Sequence, residues 1–129
     1  MLDRLLEAGW RPGDQVIVAA ACTRHPHAHR EVGAAAAMLS ALVGSRVFIG
    51  FAAPCRDGSG YPSVPDAVTR ARRTGASRVA VASYLLAEGL FQGRLREAGA
   101  DVVAAPLGLH PAVIRLACSR RRYADVLAA

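Results

Sequence analysis

The densest set of chemically versatile side chains is the run Cys22-Thr23-Arg24-His25-Pro26-His27-Ala28-His29. Thiolate and imidazole together suit a divalent cation such as zinc, cobalt or nickel. Cys22, His25 and His29 are the candidate metal ligands. His25 and His29 stand four residues apart and can share one helix face, whereas His27 points elsewhere around the first turn. The same residues would serve equally well as the polar lining of an exposed helix start. A cysteine ahead of a helix N-terminus can have its thiol pKa lowered, but no base beside Cys22 in the sequence marks it as a nucleophile. Glu88 lies in a loop flanked by Gly89, where a carboxylate could act as acid, base or ligand, or simply be solvated. His110, just before Pro111, could reach the same region or cap the helix that follows. Gly58-Ser59-Gly60 lacks the Gly-Lys-Ser/Thr or GxGxxG spacing of a phosphate loop.

These residues are positioned by a regular alternation of apolar runs and amphipathic stretches. Asp3–Ala8 reads as a helix ended by Gly9, and Trp10–Asp14 as a turn. Gln15–Ala21 has the length and β-branching of a buried parallel strand, with Val16, Ile17 and Val18 at its centre. Further strands are predicted at Arg46–Phe51, Arg78–Leu85 and Asp101–Ala104. Helices are predicted from Pro26 to Val43, Val64 to Thr74, Phe91 to Ala98 and Pro111 to Val126. Pro26 suits a first helical turn, Gly44 a C-cap and Ser63 an N-cap. Strand and helix in strict alternation imply an α/β fold: three α/β/α layers around a four-stranded parallel sheet, flavodoxin-like. Residues 1–14 form a leading helix and joining turn, and residues 15–129 the α/β domain. Cys22–His25, Ala53–Ser63, Ala87–Gly89 and Pro106–His110 then lie at the carboxyl edge of the sheet, where ligands bind in open α/β folds.

Composition narrows the partners. The chain has 129 residues, enough for one core, and 53% of them are hydrophobic but only 5% aromatic. The core must therefore be aliphatic. No apolar run approaches the roughly 18 residues of a membrane span, and acids interrupt the apolar N-terminus as in no signal peptide. A cytoplasmic protein that does not enter membranes is expected. The net charge is +6, carried by arginine without a single lysine. An anionic partner would suit that charge, but nucleic-acid motifs are missing and the arginines are scattered. Cys22, Cys55 and Cys118 are an odd number without a CxxC pair, so free thiols are expected. Cys118, among Ile114, Leu116 and Ala117, reads as core filler.

Three segments carry a family resemblance. Arg78-Val-Ala-Val-Ala-Ser-Tyr-Leu-Leu-Ala-Glu-Gly-Leu-Phe-Gln-Gly-Arg-Leu95 and Ala100-Asp-Val-Val-Ala-Ala-Pro-Leu-Gly-Leu-His-Pro111 resemble the second half of CbiX-type sirohydrochlorin chelatases. Val16-Ile-Val-Ala-Ala-Ala-Cys-Thr-Arg-His-Pro26 is similar to that family's opening V-x-H-G-S-R-D-P. Pro106-Leu-Gly-x-His-Pro111 is the most specific piece. The chain resembles the C-terminal half of a tandem chelatase, with Leu2–Asp14 similar to the last helix of a preceding half. The resemblance implies insertion of Co2+ or Fe2+, as substrate and without an organic cofactor, into sirohydrochlorin for cobalamin or siroheme. It implies Arg24, Tyr84 and Arg94 as contacts for the carboxylate-rich tetrapyrrole. The family's two catalytic imidazoles would fall at Ala21 and in the Phe91-Gln92 pair, at Gln92. Alanine is no ligand, and a neutral amide is no base near pH 7. A half without its own base is expected, with Glu88 and His110 as the remaining candidates and an active half-domain or a second copy as partner. The alternatives are a metal-binding module on Cys22, His25 and His29, or a purely structural, dimerising half.

Overall fold

A computed structural model describes residues 1–54 and 60–128. The apolar run at 15–20 becomes β1 (Gln15–Ala20), with every residue after Gln15 buried. It is a central strand, with a parallel partner on each side and helices over both faces. Ile17 stands opposite Phe48 of β2 (Phe48–Phe51) and opposite Val81 of β3 (Val79–Ser83). β4 (Val102–Val103) joins the far side of β3, giving the order β2-β1-β3-β4, all parallel. The expected four-stranded α/β sheet is therefore present.

Parallel neighbours need crossover helices. These are α2 (Pro26–Val43), α3 (Val64–Arg73) and α4 (Leu90–Arg96). Side chains alternate across the sheet and build two cores. Val16, Val18, Ala80 and Ala82 pack with Val32, Ala36 and Leu39 of α2, and with Leu5 of α1 (Leu2–Glu7). Ile17, Ala19, Val79 and Val81 pack with Ala67, Val68 and Ala71 of α3 and with Leu95 of α4. Gly50 lets β2 and α3 close: a Cβ there would stand 3.1 Å from Val64 Cα and Cγ2.

Helix signals in the sequence hold at atomic level. His25 caps α2 in an extended conformation with Pro26 as its first residue, and Gly44 ends it with φ 73°. Ser63 Oγ accepts from the Asp66 N–H at the start of α3. The strands are shorter than predicted, for a local reason. The Arg46 carbonyl accepts from the Gln15 side-chain amide at 2.9 Å instead of from a ladder partner. Beyond the two residues of β4, Asp101 and Ala104 donate to the Val79 and Val81 carbonyls, both at 2.9 Å.

Two expectations are corrected. Cys118 is exposed and free, not core filler. Its helix, α5 (Pro111–Ala128), has no buried residue. It follows the edge strand β4, and the face of β3 beside α2 is already covered by α1 through Leu5. Cys22 is disulfide-bonded, not a free thiol, and a sulfur in that state is neither nucleophile nor ligand thiolate. Cys55 lies outside the described residues. No helix among those residues is long and apolar enough to cross a membrane.

Asp101 couples the fold to pH. Its Oδ2 accepts from the Val79 N–H at 2.8 Å and from Arg72 at 3.0 Å. The backbone hydrogen bond chiefly, helped by Arg72, holds its carboxyl below the ordinary range. A depressed carboxyl stabilises above its unfolded pKa and loses that contribution as pH falls through the folded value. Asp101→Asn is expected to cost about 1 kcal/mol at neutral pH, the low end because solvent screens a half-exposed group. The difference from the parent should shrink in urea titrations as pH falls below the ordinary carboxylate range.

Candidate functional site

The loops that leave the strands meet at the carboxyl edge of the sheet. Tyr84 donates its N–H to the Ala19 carbonyl, and Leu107 and Gly108 donate to Leu85 and Leu86, all at 2.8 Å. The third and fourth loops are thereby joined. Gly89 opens α4 with φ 151°, a backbone suited to glycine. Between these loops and α1 lies a depression of about 530 Å³, lined by Arg4, Leu86, Glu88, Pro106 and Leu109.

Its surroundings are apolar. Leu86, Leu90 and Leu109 are 68%, 71% and 85% exposed, and Phe91 is 41% exposed. The Arg94 guanidinium lies 5.9 Å from the Phe91 ring centre. Four large apolar side chains facing water, two on the loops and two on the first turn of α4, form a surface suited to a partner or ligand. Phe91 stands in the pair named above, whereas Leu86, Leu90 and Leu109 carry no reactive group that marks them in the sequence. The available signal was that Leu90-Phe91 follows Gly89 at the start of a helix, and that Leu107 and Leu109 flank Gly108 in a loop.

The candidate acids and bases are occupied elsewhere. Glu88 Oε1 pairs with Arg96 at 2.6 Å, and this hydrogen bond is the main cause raising the Arg96 guanidinium pKa. His110 is mostly buried. Its Nδ1 accepts from the Ala112 N–H at 3.2 Å, so Nε2 carries the hydrogen and faces Asp3 Oδ2 at 3.2 Å. His110 thus links the start of α5 to α1. Gln92 is 1% exposed. Its Oε1 accepts from Ser83 Oγ at 2.7 Å, and its Nε2 donates to the Ala104 carbonyl at 2.9 Å. Of the Phe91-Gln92 pair, the side chain that reaches solvent is Phe91. Ala21 is exposed immediately after β1.

The first loop spreads its imidazoles. His25 and His27 are exposed, and His27 faces Glu31 at 3.7 Å. His29 is half-buried against the Thr23 carbonyl and the rings of Phe51 and Tyr61, 5.7 and 6.0 Å away between centres. Among the described residues, no three His, Cys, Asp or Glu side chains converge as a cation site. Arg24 is exposed and Tyr84 half-buried against the α2-side core. Arg94 lines a separate depression of about 350 Å³ with Pro65 and Glu97, away from the one that holds Glu88.

Comparison with known proteins adds one finding. The model of the CbiX family matches residues 15–124, from the first residue of β1 into the second half of α5. No curated protein matches the chain.

Proposed function

We infer the role of this chain from its kinship: it belongs to the CbiX family, the sirohydrochlorin chelatases, which insert cobalt or iron. We propose that the chain forms one wall of a tetrapyrrole cleft and supplies no base of its own. Insertion exchanges one M2+ for two pyrrole N–H protons, so the reaction needs a group near the macrocycle that accepts protons around neutral pH. Imidazole meets that need. The observation that carries the proposal is the apolar carboxyl edge. Where the resemblance places imidazoles stand Ala21 and the Phe91-Gln92 pair, with Phe91 outward and the Gln92 amide fully bonded inside.

Such an edge suits the flat face of a macrocycle. Leu86, Leu90, Phe91 and Leu109 offer the contact surface, while Arg24 and Arg94 can pair with peripheral carboxylates. Co2+ or Fe2+ enters as substrate. The proton acceptor comes from a partner half that retains both imidazoles, and the exposed apolar side of α5 supports such a partner.

Sirohydrochlorin chelation with Co2+ and Fe2+ tests this, followed by absorbance. The isolated chain is expected to give no rate above the metal-only reaction, and a gain on adding a half that retains both imidazoles. A metal-dependent rate from the chain alone would overturn the proposal.

A further inference from the structure

A cavity of about 300 Å³ runs along the outer side of β2 against α3, from Arg46 and Thr74 at one end to Gly60–Pro62 at the other. Arg46, Phe48, Tyr61, Arg70 and Ala71 line it. That volume is at the small end of cavities that hold organic ligands. Phe48, half-buried, packs on the α3 side of the sheet and gives the cavity an aromatic wall. The Arg46 guanidinium lies 5.2 Å from the Phe48 ring centre. A guanidinium stacked in this way keeps its in-plane N–H donors available to a carboxylate. Arg70 precedes Ala71 and stands three residues after Ala67, so it approaches the same cavity from α3.

Arg4, Arg72, Arg78 and Arg96 each face a carboxylate within 3.4 Å. Neither Arg46 nor Arg70 is held in an ion pair, a state they share with Arg24, Arg30 and Arg94 among the described residues. The backbone adds a third donor. The Phe51 N–H points outward to the Pro62 carbonyl, and the Ala52 N–H inward to Ala20, both at 2.9 Å. Alternation along a strand therefore turns the Ile49 N–H outward as well, toward the cavity that Ile49 lines.

We propose that this groove binds a small carboxylate on a flat apolar body, of the arylacetate class. The carboxylate meets Arg46, Arg70 and the Ile49 N–H, and the ring lies against Phe48 and Ala71. The site shares no lining residue with the depression beside Leu109 and does not rest on the chelatase role.

The test is a titration of the isotope-labelled full chain with phenylacetate, read from backbone amide shifts. Saturating shifts are expected at Phe48, Ile49 and Ala71. Arg46→Gln and Arg70→Gln, both at exposed positions, should each weaken binding at least about tenfold. Phenylacetamide, which lacks the charge, should not bind. Coproporphyrin, which carries carboxylates on a macrocycle, should move carboxyl-edge amides such as Phe91 and Leu109 instead. Equal shifts with phenylacetamide, groove shifts with the porphyrin alone, unchanged affinity in both variants, or no saturable shift would each overturn the proposal.

Discussion

The double variant Ala21→His/Phe91→His is expected to insert Co2+ into sirohydrochlorin at least about 100-fold faster than the parent chain, the low end for a positioned general base. Ala21 is exposed directly after β1, and Phe91 reaches solvent from the first turn of α4, which follows β3. β1 and β3 are hydrogen-bonded neighbours, so both new imidazoles would border the same stretch of the carboxyl edge. Each is then free to accept a pyrrole proton as the metal enters. Gln92→His should give no such gain, because position 92 points between Ser83 and the Ala104 carbonyl. The assay is absorbance of the metal-free macrocycle, run beside a porphyrin-binding measurement. A double variant that binds the macrocycle and stays as slow as the parent would show that this edge does not face the reacting nitrogens.

Gln92→Leu is expected to lower stability by about 2–4 kcal/mol. The leucine has a comparable size, so the loss comes from polarity. Ser83 Oγ and the Ala104 carbonyl would both remain buried without the partners that Gln92 supplies. A buried group stripped of its hydrogen bond costs about 1–3 kcal/mol. Adding Ser83→Ala removes one of the two stranded groups, so the double variant should recover part of the loss. Urea unfolding reads both as shifts of midpoint at constant slope. A single-variant loss under about 0.5 kcal/mol would mean that water reaches one of these groups.

Much of the architecture was legible because local signals agreed with the global fold. Val16–Val18 is β-branched and continuous, as a strand covered on both faces requires. Pro26, Gly44 and Ser63 mark helix ends through backbone chemistry that acts within a few residues. The candidate site was less legible, because its decisive contacts join distant parts of the chain. Nothing near His110 announces that its imidazole meets Asp3. Gln92 was visible as a polar residue, but its burial depends on Ser83 and Ala104 on two other strand ends. One local clue existed: Gln92 stands three residues before the buried Leu95, on the same helix face. The apolar pattern of α5 looks the same whether its own sheet or a partner covers it, so the sequence around Cys118 reads as core although the residue is exposed.

The sheet's small side chains have a thermal consequence. Ala19, Ala20, Ala80, Ala82 and Ala104 fill buried positions that larger residues occupy in many sheets. Each brings little hydrocarbon surface to be hydrated on unfolding, and α5 brings almost none. The heat capacity increment should therefore fall below the roughly 12–15 cal/mol/K per residue of average domains. A smaller increment bends the free-energy curve less. The native state then changes little in stability between cold and warm conditions, and a calorimetric scan should show a shallow step in baseline across the transition.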